Sequence, residues 1–452
     1  MSFPKDFVWG AATASYQVEG ALNEGGRGLS IWDDFCNTPG KIFSNQNAEE
    51  ACDHFHKYNE DVKLMKDLEL QAYRFSIAWP RILPNGFGEI NEEGLDFYDK
   101  LINELLEKGI TPYITLFHWD LPFELHKLGG WMNPESPKWF ANYAKIVAQR
   151  FGDRVKNFIT FNEPQCFIGL GYVTGEHAPG ICMSRKCTLQ MAHNVMLAHG
   201  LAVQAIRSVV KDAKIGYAPT GGGTYPLSNS TEDIEAAREA YFQLMPNPKN
   251  YLWTVPWWSD PVMLGHYPEE GVKLYEKDMP KIGQDDMKII SQPLDYYGQN
   301  IYNGIGISAG KDGFEWEIRK EGYTKTACNW PVTPQCIYWS IKFLYERYKK
   351  PIIITENGMS AHDCISIDGK VHDPNRIDYM YRYIAAMKKA VEDGVDIKAY
   401  FAWSLMDNFE WSNGYNERFG LTYVDYETQQ RIIKDSGYWF KDVIKSNGEN
   451  IK

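Results

Sequence analysis

Residues 158–166 read FITFNEPQC, an apolar run that ends in an Asn-Glu-Pro sequence with Glu163 at its centre. Strands often stop at proline, but a carboxylate at the very tip, preceded by an amide, is a less routine ending. Residues 351–359, PIIITENGM, end in much the same way, with Glu356 followed by Asn-Gly. Two predicted strands that each carry a glutamate to their carboxyl end suggest a site with paired carboxylates.

Six further apolar segments share this pattern and complete a series of eight. In chain order the eight read FVWGAATA, QAYRFSIAW, TPYITLFHW, VKNFITFNE, AKIGYAPT, LDYYGQNIY, PIIITENG and IKAYFAWSL. Longer stretches with helical character lie between them. Strand followed by helix, eight times over, predicts a single (β/α)8 barrel of the TIM type, with elaborated loops after the strands, that occupies residues 1–452.

The predicted helices support this alternation. Residues 91–109 place apolar side chains three and four positions apart, and Gly109 stands where a helix C-cap belongs. Residues 376–394 repeat the pattern and also end at a glycine. The main alternative, a doubly wound open sheet, predicts a G-x-G-x-x-G turn after an early strand, and the sequence has none there. Residues 221–265 are too long for a simple connection, so we predict a helix and an elaborated loop on the active face.

Composition excludes several classes of partner. The 452 residues are 44% apolar and 23% charged, and their formal charge of −12 argues against a nucleic-acid ligand, which favours clustered Lys and Arg. No apolar run approaches the roughly eighteen residues of a membrane span, and no signal-peptide pattern is seen, so we predict a cytoplasmic protein without membrane contact. The eight cysteines form no CxxC pair, and no metal or cofactor is predicted. The sequence does not indicate an oligomeric state.

Polar and aromatic residues collect at the predicted carboxyl ends of the strands, where barrel enzymes have their active sites. Fifteen Trp and 28 Tyr are many for this length, and an aromatic face suits the apolar face of a sugar ring. The strand-end residues are Arg74 on the second strand, His118 and Trp119 after the third, Asn162 and Glu163 at the fourth, Asn300 and Tyr302 at the sixth, Glu356 at the seventh and Trp403 at the eighth.

Hydrolysis of a glycosidic bond needs one protonated and one ionised carboxyl group. Burial raises the pKa of a carboxyl, whereas a cation or hydrogen-bond donors lower it, so we expect Arg74 and Tyr302 to provide the ionised environment. Two other function classes stay open at this point. A metal-dependent barrel hydrolase needs several His or Asp ligands at strand ends, where only His118 fits well. A non-catalytic sugar-binding protein would use the same aromatics but would not need two glutamates.

The segments TFNEP and ITENG resemble the two active-site signatures of glycoside hydrolase family 1, the β-glucosidase family. The resemblance covers nearly the whole chain, from FVWGAATASYQVEGA to RFGLTYVDYETQ, with YRFSIAWPRI, TLFHWDLP, GEHAPG, WWSDPVMLGHYP and FAWSLMDNFEWSNGY between them in the family's order. It implies a (β/α)8 barrel and an exo-acting β-glucosidase that retains anomeric configuration. Glu163 would then be the general acid/base and Glu356 the nucleophile.

The same resemblance implies roles for the surrounding residues. Trp403 matches the aromatic platform beneath the sugar, and Trp330 resembles the tryptophan that faces the leaving group. Arg74 and Tyr302 match groups that contact the nucleophile, and Asn300 matches a further amide of the site. Residues that match positions holding the non-reducing sugar are Gln17, His118, Trp119, Asn162, Glu410 and Trp411.

The segment DNFEWSNGYNERFG bears on the choice of sugar. Family members that take 6-phosphorylated sugars have a Ser/Lys/Tyr arrangement here, whereas Glu410 would repel a phosphate and Trp411 offers no cation. We therefore expect unphosphorylated β-glucosides as small-molecule substrates. Galactosides, fucosides or 6-phospho-glycosides stay open as substrates, and so does a non-catalytic sugar-binding relative.

Overall fold

Eight parallel strands close into a barrel in the computed structural model, which describes residues 2–311 and 313–452. With all strands numbered along the chain, the barrel strands are β1 (Val8–Ala12), β2 (Ala72–Ser76), β3 (Thr111–Phe117), β4 (Asn157–Asn162), β5 (Lys214–Ala218), β7 (Tyr296–Asn300), β10 (Ile352–Asn357) and β11 (Ile397–Trp403). They hydrogen-bond in chain order, and β11 closes onto β1. Each lies in one of the eight apolar segments, so the predicted (β/α)8 fold is confirmed.

Within the described residues, five further strands lie outside the barrel. The strands β6 (Gly223–Pro226), β8 (Gly304–Gly310) and β9 (Gly313–Trp316) form a three-stranded sheet, and β12 (Thr422–Val424) pairs with β13 (Arg431–Ile433). The region 221–265 therefore begins with a strand that the sequence did not predict. The predicted helical part of that region is present as two helices, α10 (Thr231–Tyr241) and α11 (Val255–Leu264).

Further helices surround the barrel and occupy its loops. They are α1 (Ser15–Val18), α2 (Ile31–Cys36), α3 (His54–Asp67), α4 (Trp79–Ile82), α5 (Glu92–Glu107), α6 (Phe123–Lys127), α7 (Ser136–Phe151), α8 (Pro164–Gly169), α9 (Arg185–Val209), α12 (Glu269–Tyr275), α13 (Asp286–Ile290), α14 (Gln335–Tyr348), α15 (Pro374–Glu392) and α16 (Asp435–Lys445). Short 3₁₀ turns occur at Phe43–Asn45, Gly130–Met132, Glu276–Asp278 and Trp411–Asn413, and a π-helical turn at Leu170–Thr174. None of the helices in the described residues is both apolar and long enough to cross a bilayer.

Helix α5 forms for the reasons visible in its sequence. Its apolar stripe, which includes Leu95, Leu101 and Leu105, is buried against the barrel. The helix ends just before Gly109, whose φ of 75° is left-handed and therefore favours glycine. Gly394 has a φ of 90° and follows α15 in the same way. Both helix ends predicted from the sequence are confirmed.

Aromatic rings fill the interior of the barrel below the site. The rings of Tyr113 and Phe401 meet edge to face at 5.0 Å, and the Tyr296 hydroxyl donates to the Phe158 carbonyl. A Cβ at Gly216 would lie 2.0 Å from the Tyr296 ring, so glycine is required there. This packing fills the barrel below the carboxyl ends of the strands, where barrel enzymes have their active sites.

Buried ion pairs hold together the loops that follow β10 and β11. Lys434 is fully buried, and its ammonium lies 2.5 Å from Asp363 and 2.6 Å from Asp407. Arg376 pairs with Asp363 at 2.7 Å, and Arg418 pairs with Asp407 at 2.6 Å. The two aspartates belong to the loops that continue from β10 and from β11, so this network fixes loops next to the carboxyl rim.

Candidate active site

Two glutamates stand at the carboxyl rim on strands separated by β5 and β7. Glu356 lies near the end of β10, and Glu163 directly follows β4 as the N-cap residue of α8. Pro164 occupies the first position of that helix, which suits its fixed φ, and Glu163 makes the turn with a left-handed φ of 46°. Both side chains are largely withdrawn from water, at 7% exposure for Glu163 and 3% for Glu356.

A cation and a hydroxyl hold the Glu356 carboxylate. Arg74 Nη1 donates to Glu356 Oε1 at 2.8 Å, and the Tyr302 hydroxyl donates to Oε2 at 2.7 Å. The Arg74 guanidinium is itself held in place because its Nε donates to Thr115 Oγ1 at 3.1 Å. Each carboxylate oxygen therefore has a separate donor, which sets the orientation of the group.

Glu163 is held by neutral donors. Asn300 Nδ2 donates to Glu163 Oε1 at 2.8 Å, and the Cys166 thiol donates to Oε2 at 3.0 Å. Asn162 links the two carboxyl groups, because its Oδ1 accepts from Arg74 Nη2 at 2.6 Å and from Asn300 Nδ2 at 3.0 Å. A continuous hydrogen-bond chain thus joins the two glutamates through three side chains from β2, β4 and β7.

The pKa values of these carboxyl groups differ from the sequence-based expectation. Burial raises the pKa of Glu356 to about 7, and the negative charge of Glu163 adds to this rise, although Arg74 and Tyr302 act to lower it. Burial also raises the pKa of Glu163. Arg74 and Tyr302 thus lower the pKa of Glu356 as expected, but burial, which the sequence did not indicate, raises it by more. The two glutamates differ in that Arg74 forms an ion pair with Glu356.

The glutamates open into a cavity of about 760 Å³. Four residues predicted for the site lie behind its wall, where each is buried and bonds a lining residue: Gln17 to Glu410, Arg74 to Glu356, Asn162 to His118 and Asn300 to Glu163. The nine predicted residues that line it are His118, Trp119, Glu163, Tyr302, Trp330, Glu356, Trp403, Glu410 and Trp411. The structure thus brings together all the residues predicted from the sequence.

His118 is arranged to offer one donor to a ligand. Asn162 Nδ2 donates to His118 Nε2 at 3.0 Å, which places the ring proton on Nδ1. Burial, aided by the charge of Arg74, holds the pKa of His118 well below its ordinary value, so the ring is neutral. Its Nδ1 is buried and has no hydrogen-bond partner among the described residues. A sugar oxygen in the cavity would satisfy this N–H.

Glu410 provides a second polar group at the same end of the cavity. Gln17 Nε2 donates to Glu410 Oε2 at 3.2 Å, and the same amide nitrogen is anchored on the Phe409 carbonyl at 2.9 Å. Burial raises the pKa of Glu410 to about 8, with contributions from the charges of Glu356 and Glu417. This shift favours the protonated form of Glu410, which can donate as well as accept a hydrogen bond.

Aromatic rings form the wall and the mouth of the cavity. At the closed end the indole of Trp403 lies 5.7 Å from the His118 ring and nearly parallel to it. Trp119 and Trp411 pack at 4.5 Å, and Trp119 is fixed by a bond from its Nε1 to the Asn162 carbonyl. At the mouth Trp330 is 36% exposed and packs on Tyr302 at 5.1 Å. The cavity is thus closed at one end and open at the end where Trp330 stands.

Sequence reasoning missed several lining residues. Cys166 and Phe419 lie in the segments FITFNEPQC and DNFEWSNGYNERFG, and the spacing of one helical turn from Glu163 was the available signal for Cys166. Glu176 lies in the family segment GEHAPG, whose match was the available signal for it. Lys41 and Trp253 belong to long loops without a recognisable pattern, and only the folded chain brings them to the cavity. No group of three or more His, Cys, Asp or Glu side chains is arranged to hold a metal within residues 2–311 and 313–452.

Comparison with known proteins identifies the family of this site. A family model described as glycosyl hydrolase family 1 matches residues 1–449. The chain belongs to glycosyl hydrolase family 1. As a member of this family, the chain is a glycoside hydrolase that acts on O-glycosyl bonds. Retention of anomeric configuration is general in family 1. The resemblance seen in TFNEP and ITENG is therefore confirmed.

Family 1 relatives match this chain along its whole length. Beta-glucosidase A of Thermotoga maritima is 45% identical over 99% of this chain and 98% of the relative. Beta-glucosidase A of Acetivibrio thermocellus is 46% identical over 99% of both chains. The solved structure of the family 1 β-glucosidase from Thermotoga maritima has a TM-score of 0.90 at 44% identity, with 99% of both chains covered. The barrel and its elaborated loops are thus those of the family.

Proposed function

We propose that this protein is an exo-acting, retaining β-glucosidase. It would release terminal non-reducing β-D-glucosyl residues from oligosaccharides or from aryl and alkyl β-glucosides. The observation that carries the proposal is the pair of buried glutamates, each with its own donors, in a cavity that is closed at one end. A closed end accepts a chain terminus and not the middle of a polymer. The names of similar relatives support the choice of glucose.

Glu356 is the proposed nucleophile of the first step. Its carboxylate attacks the anomeric carbon while Glu163 donates its proton to the glycosidic oxygen, so the C–O bond breaks and the aglycone leaves as an alcohol. The hydrogen bonds from Arg74 to Oε1, at 2.8 Å, and from Tyr302 to Oε2, at 2.7 Å, hold the Glu356 carboxylate in its orientation. The product of this step is a glycosyl ester on Glu356.

Glu163 is the proposed base of the second step. Its carboxylate takes a proton from water, the water oxygen attacks the anomeric carbon, and the ester bond to Glu356 breaks. While Glu356 is an ester it carries no charge, so its repulsion of the Glu163 carboxylate is absent and the pKa of Glu163 falls. Glu163 therefore favours its protonated form before the glycosidic bond is cleaved and its carboxylate form afterwards. Two inversions at one carbon leave the β-anomer.

We propose that the glycone is unphosphorylated, because carboxyl groups surround its predicted position. The sequence predicts repulsion of a phosphate by Glu410, but burial raises the pKa of this group to about 8 and so favours its neutral form. The charges that act on Glu410 are those of Glu356, Glu417 and Glu163, and all three are negative. Glu417 has a buried Oε2 without a hydrogen-bond partner among the described residues. A phosphate dianion needs positive donors, and this end of the cavity offers carboxyl groups.

Kinetics with a panel of p-nitrophenyl β-glycosides tests the proposed substrate. We expect the glucoside to be hydrolysed and the 6-phosphoglucoside to have kcat/KM lower by about 100-fold or more, because its charge is buried without a partner. The galactoside and the fucoside are compared with the glucoside in the same assay. Glu356→Ala, purified in parallel, measures contaminating activity. Preference for the 6-phosphoglucoside, or no turnover of any glycoside, would refute the proposed function.

We also propose that the chain is a single catalytic domain over residues 1–452. Residues near the two ends of the described chain are in contact, since Trp9 Nε1 donates to Asn447 Oδ1 at 2.9 Å and Phe3 N donates to the Asn447 carbonyl. The first and last barrel strands are also paired, which supports one barrel that both ends of the chain help to close. The cytoplasmic location inferred from the sequence stays a prediction.

A further inference from the structure

Cys166 is a cavity-lining residue that the proposed two-step mechanism does not use. It lies in α8, three residues after Glu163, and its sulfur is 3.0 Å from Glu163 Oε2. The residue is buried, at 6% exposure, yet it lines the cavity beside the two glutamates. Burial and the neighbouring carboxylates raise the pKa of Cys166 well above its ordinary value, so the thiol keeps its proton and the S–H is the donor.

We propose that Cys166 is a positioning residue whose S–H donates to Glu163 Oε2 and stabilises the carboxylate form of the acid/base. The inference rests on the proposed function, in which Glu163 alternates between acid and carboxylate. A donor to the ionised form favours proton release, which is the direction needed when Glu163 becomes the base.

The two donors to Glu163 differ in how firmly they are held. Asn300 Oδ1 accepts from Thr355 Oγ1 at 2.6 Å, so the Asn300 amide is fixed with its nitrogen towards Glu163 Oε1. The Cys166 hydrogen turns freely about the Cβ–S bond, and sulfur also accepts weakly. When Glu163 carries its proton, the thiol can therefore rotate away without breaking other bonds, whereas the amide cannot.

Other charged and polar groups also act on Glu163. Burial raises its pKa, and the positive charge of Arg74, behind Asn162, lowers it. A side-chain hydrogen bond from Thr220 also lowers it, although the Thr220 hydroxyl points mainly to the Asn300 carbonyl, at 3.3 Å. The ionisable groups across the cavity are Glu356, Glu410 and Tyr302, and each has its pKa raised in part by Glu163. Among the described residues, the donor that contacts Oε2 in the structure is Cys166.

The test compares Cys166→Ala, which removes the donor, with Cys166→Ser, which keeps an O–H donor. The measurement is the pH dependence of kcat/KM for an alkyl β-glucoside, whose poor leaving group requires the proton of Glu163. Loss of the donor favours the protonated acid, so the alkaline limb of Cys166→Ala should move up by about 0.5 to 1 pH unit. Cys166→Ser should restore the limb to the wild-type position. Cys336→Ala, at a buried thiol in α14, is the matched control and should not move it.

Thermal unfolding of each variant establishes that it is folded. Cys166→Val fills the space without a donor and replaces Cys166→Ala if the latter does not fold. An alkaline limb unmoved in a folded donor-less variant would overturn the inference, and so would equal shifts in the alanine and serine variants, which would point to packing. Wild-type protein that hydrolyses no glucoside would overturn the proposed function itself. If the wild type is active but the alkaline limb of kcat/KM does not move in the donor-less variant, only the proposed role of Cys166 is overturned.

Discussion

Replacement of Tyr302 by phenylalanine isolates one interaction of the proposed nucleophile. The Tyr302 hydroxyl donates to Glu356 Oε2 at 2.7 Å, while its ring packs on Trp330 at 5.1 Å. Phenylalanine keeps the ring and removes only this hydroxyl. The Arg74 contact with Oε1 remains, so the orientation of Glu356 is retained through one oxygen.

The size of the effect follows from the charge of the acceptor. A hydrogen bond to a charged group contributes about 1.5–3 kcal/mol, and about 1.4 kcal/mol corresponds to one pKa unit. Loss of the hydroxyl should therefore raise the pKa of Glu356 by about one to two units. Because the nucleophile must be ionised to attack, the acid limb of kcat/KM should move to higher pH by the same amount. Below that limb the variant loses about 10- to 100-fold in rate.

The assay is the pH profile of kcat/KM with p-nitrophenyl β-D-glucoside, with discontinuous sampling at low pH. Tyr297→Phe is the matched control, since Tyr297 is a buried tyrosine of β7 whose hydroxyl pairs with Ser259 Oγ at 2.8 Å. That control should reproduce the wild-type profile. If Tyr302→Phe is folded and its acid limb stays in place, or moves to lower pH, then Tyr302 does not stabilise the ionised nucleophile and the reasoning fails.

Three further substitutions test separate parts of the account. Glu356→Ala should abolish turnover, and added azide should restore it with the α-glycosyl azide as the product seen by NMR. A Glu356→Ala variant as active as the wild type would rule out Glu356 as the nucleophile. Glu163→Gln should slow glycosylation of substrates with poor leaving groups by about 10²- to 10⁴-fold and spare activated aryl glucosides, and equal losses for both would contradict its role as acid. Lys434→Ala should lower the free energy of unfolding in urea by about 3–5 kcal/mol, because Asp363 and Asp407 lose a buried partner; a change within about 1 kcal/mol would contradict this.

Much of the fold was predictable because its determinants are local. Each barrel strand is a short apolar run, and β4 and β10 both end in polar residues that indicate a rim position. The sheet formed by β6, β8 and β9 was not predictable, since β6 has only four residues and its partner β8 is far along the chain. Its pairing depends on tertiary contacts that no sequence window contains.

The site was predictable in its residues but not in its energetics. Strand ends and the family resemblance named Glu163 and Glu356, and the structure places their partners around them. The balance that raises the pKa of Glu356 to about 7 depends on how completely the group is buried, which the sequence does not encode locally. Likewise, Trp253 reaches the cavity from a long loop, so its place in the lining depends on the folded chain.

The most direct test of the paired-glutamate mechanism is a proton NMR time course of an aryl β-glucoside with the purified enzyme. It observes the anomeric proton of the product before mutarotation mixes the anomers. The account predicts that β-glucose appears first and α-glucose grows in later by mutarotation. Initial release of α-glucose would mean a single inverting displacement, and it would contradict a glycosyl ester on Glu356.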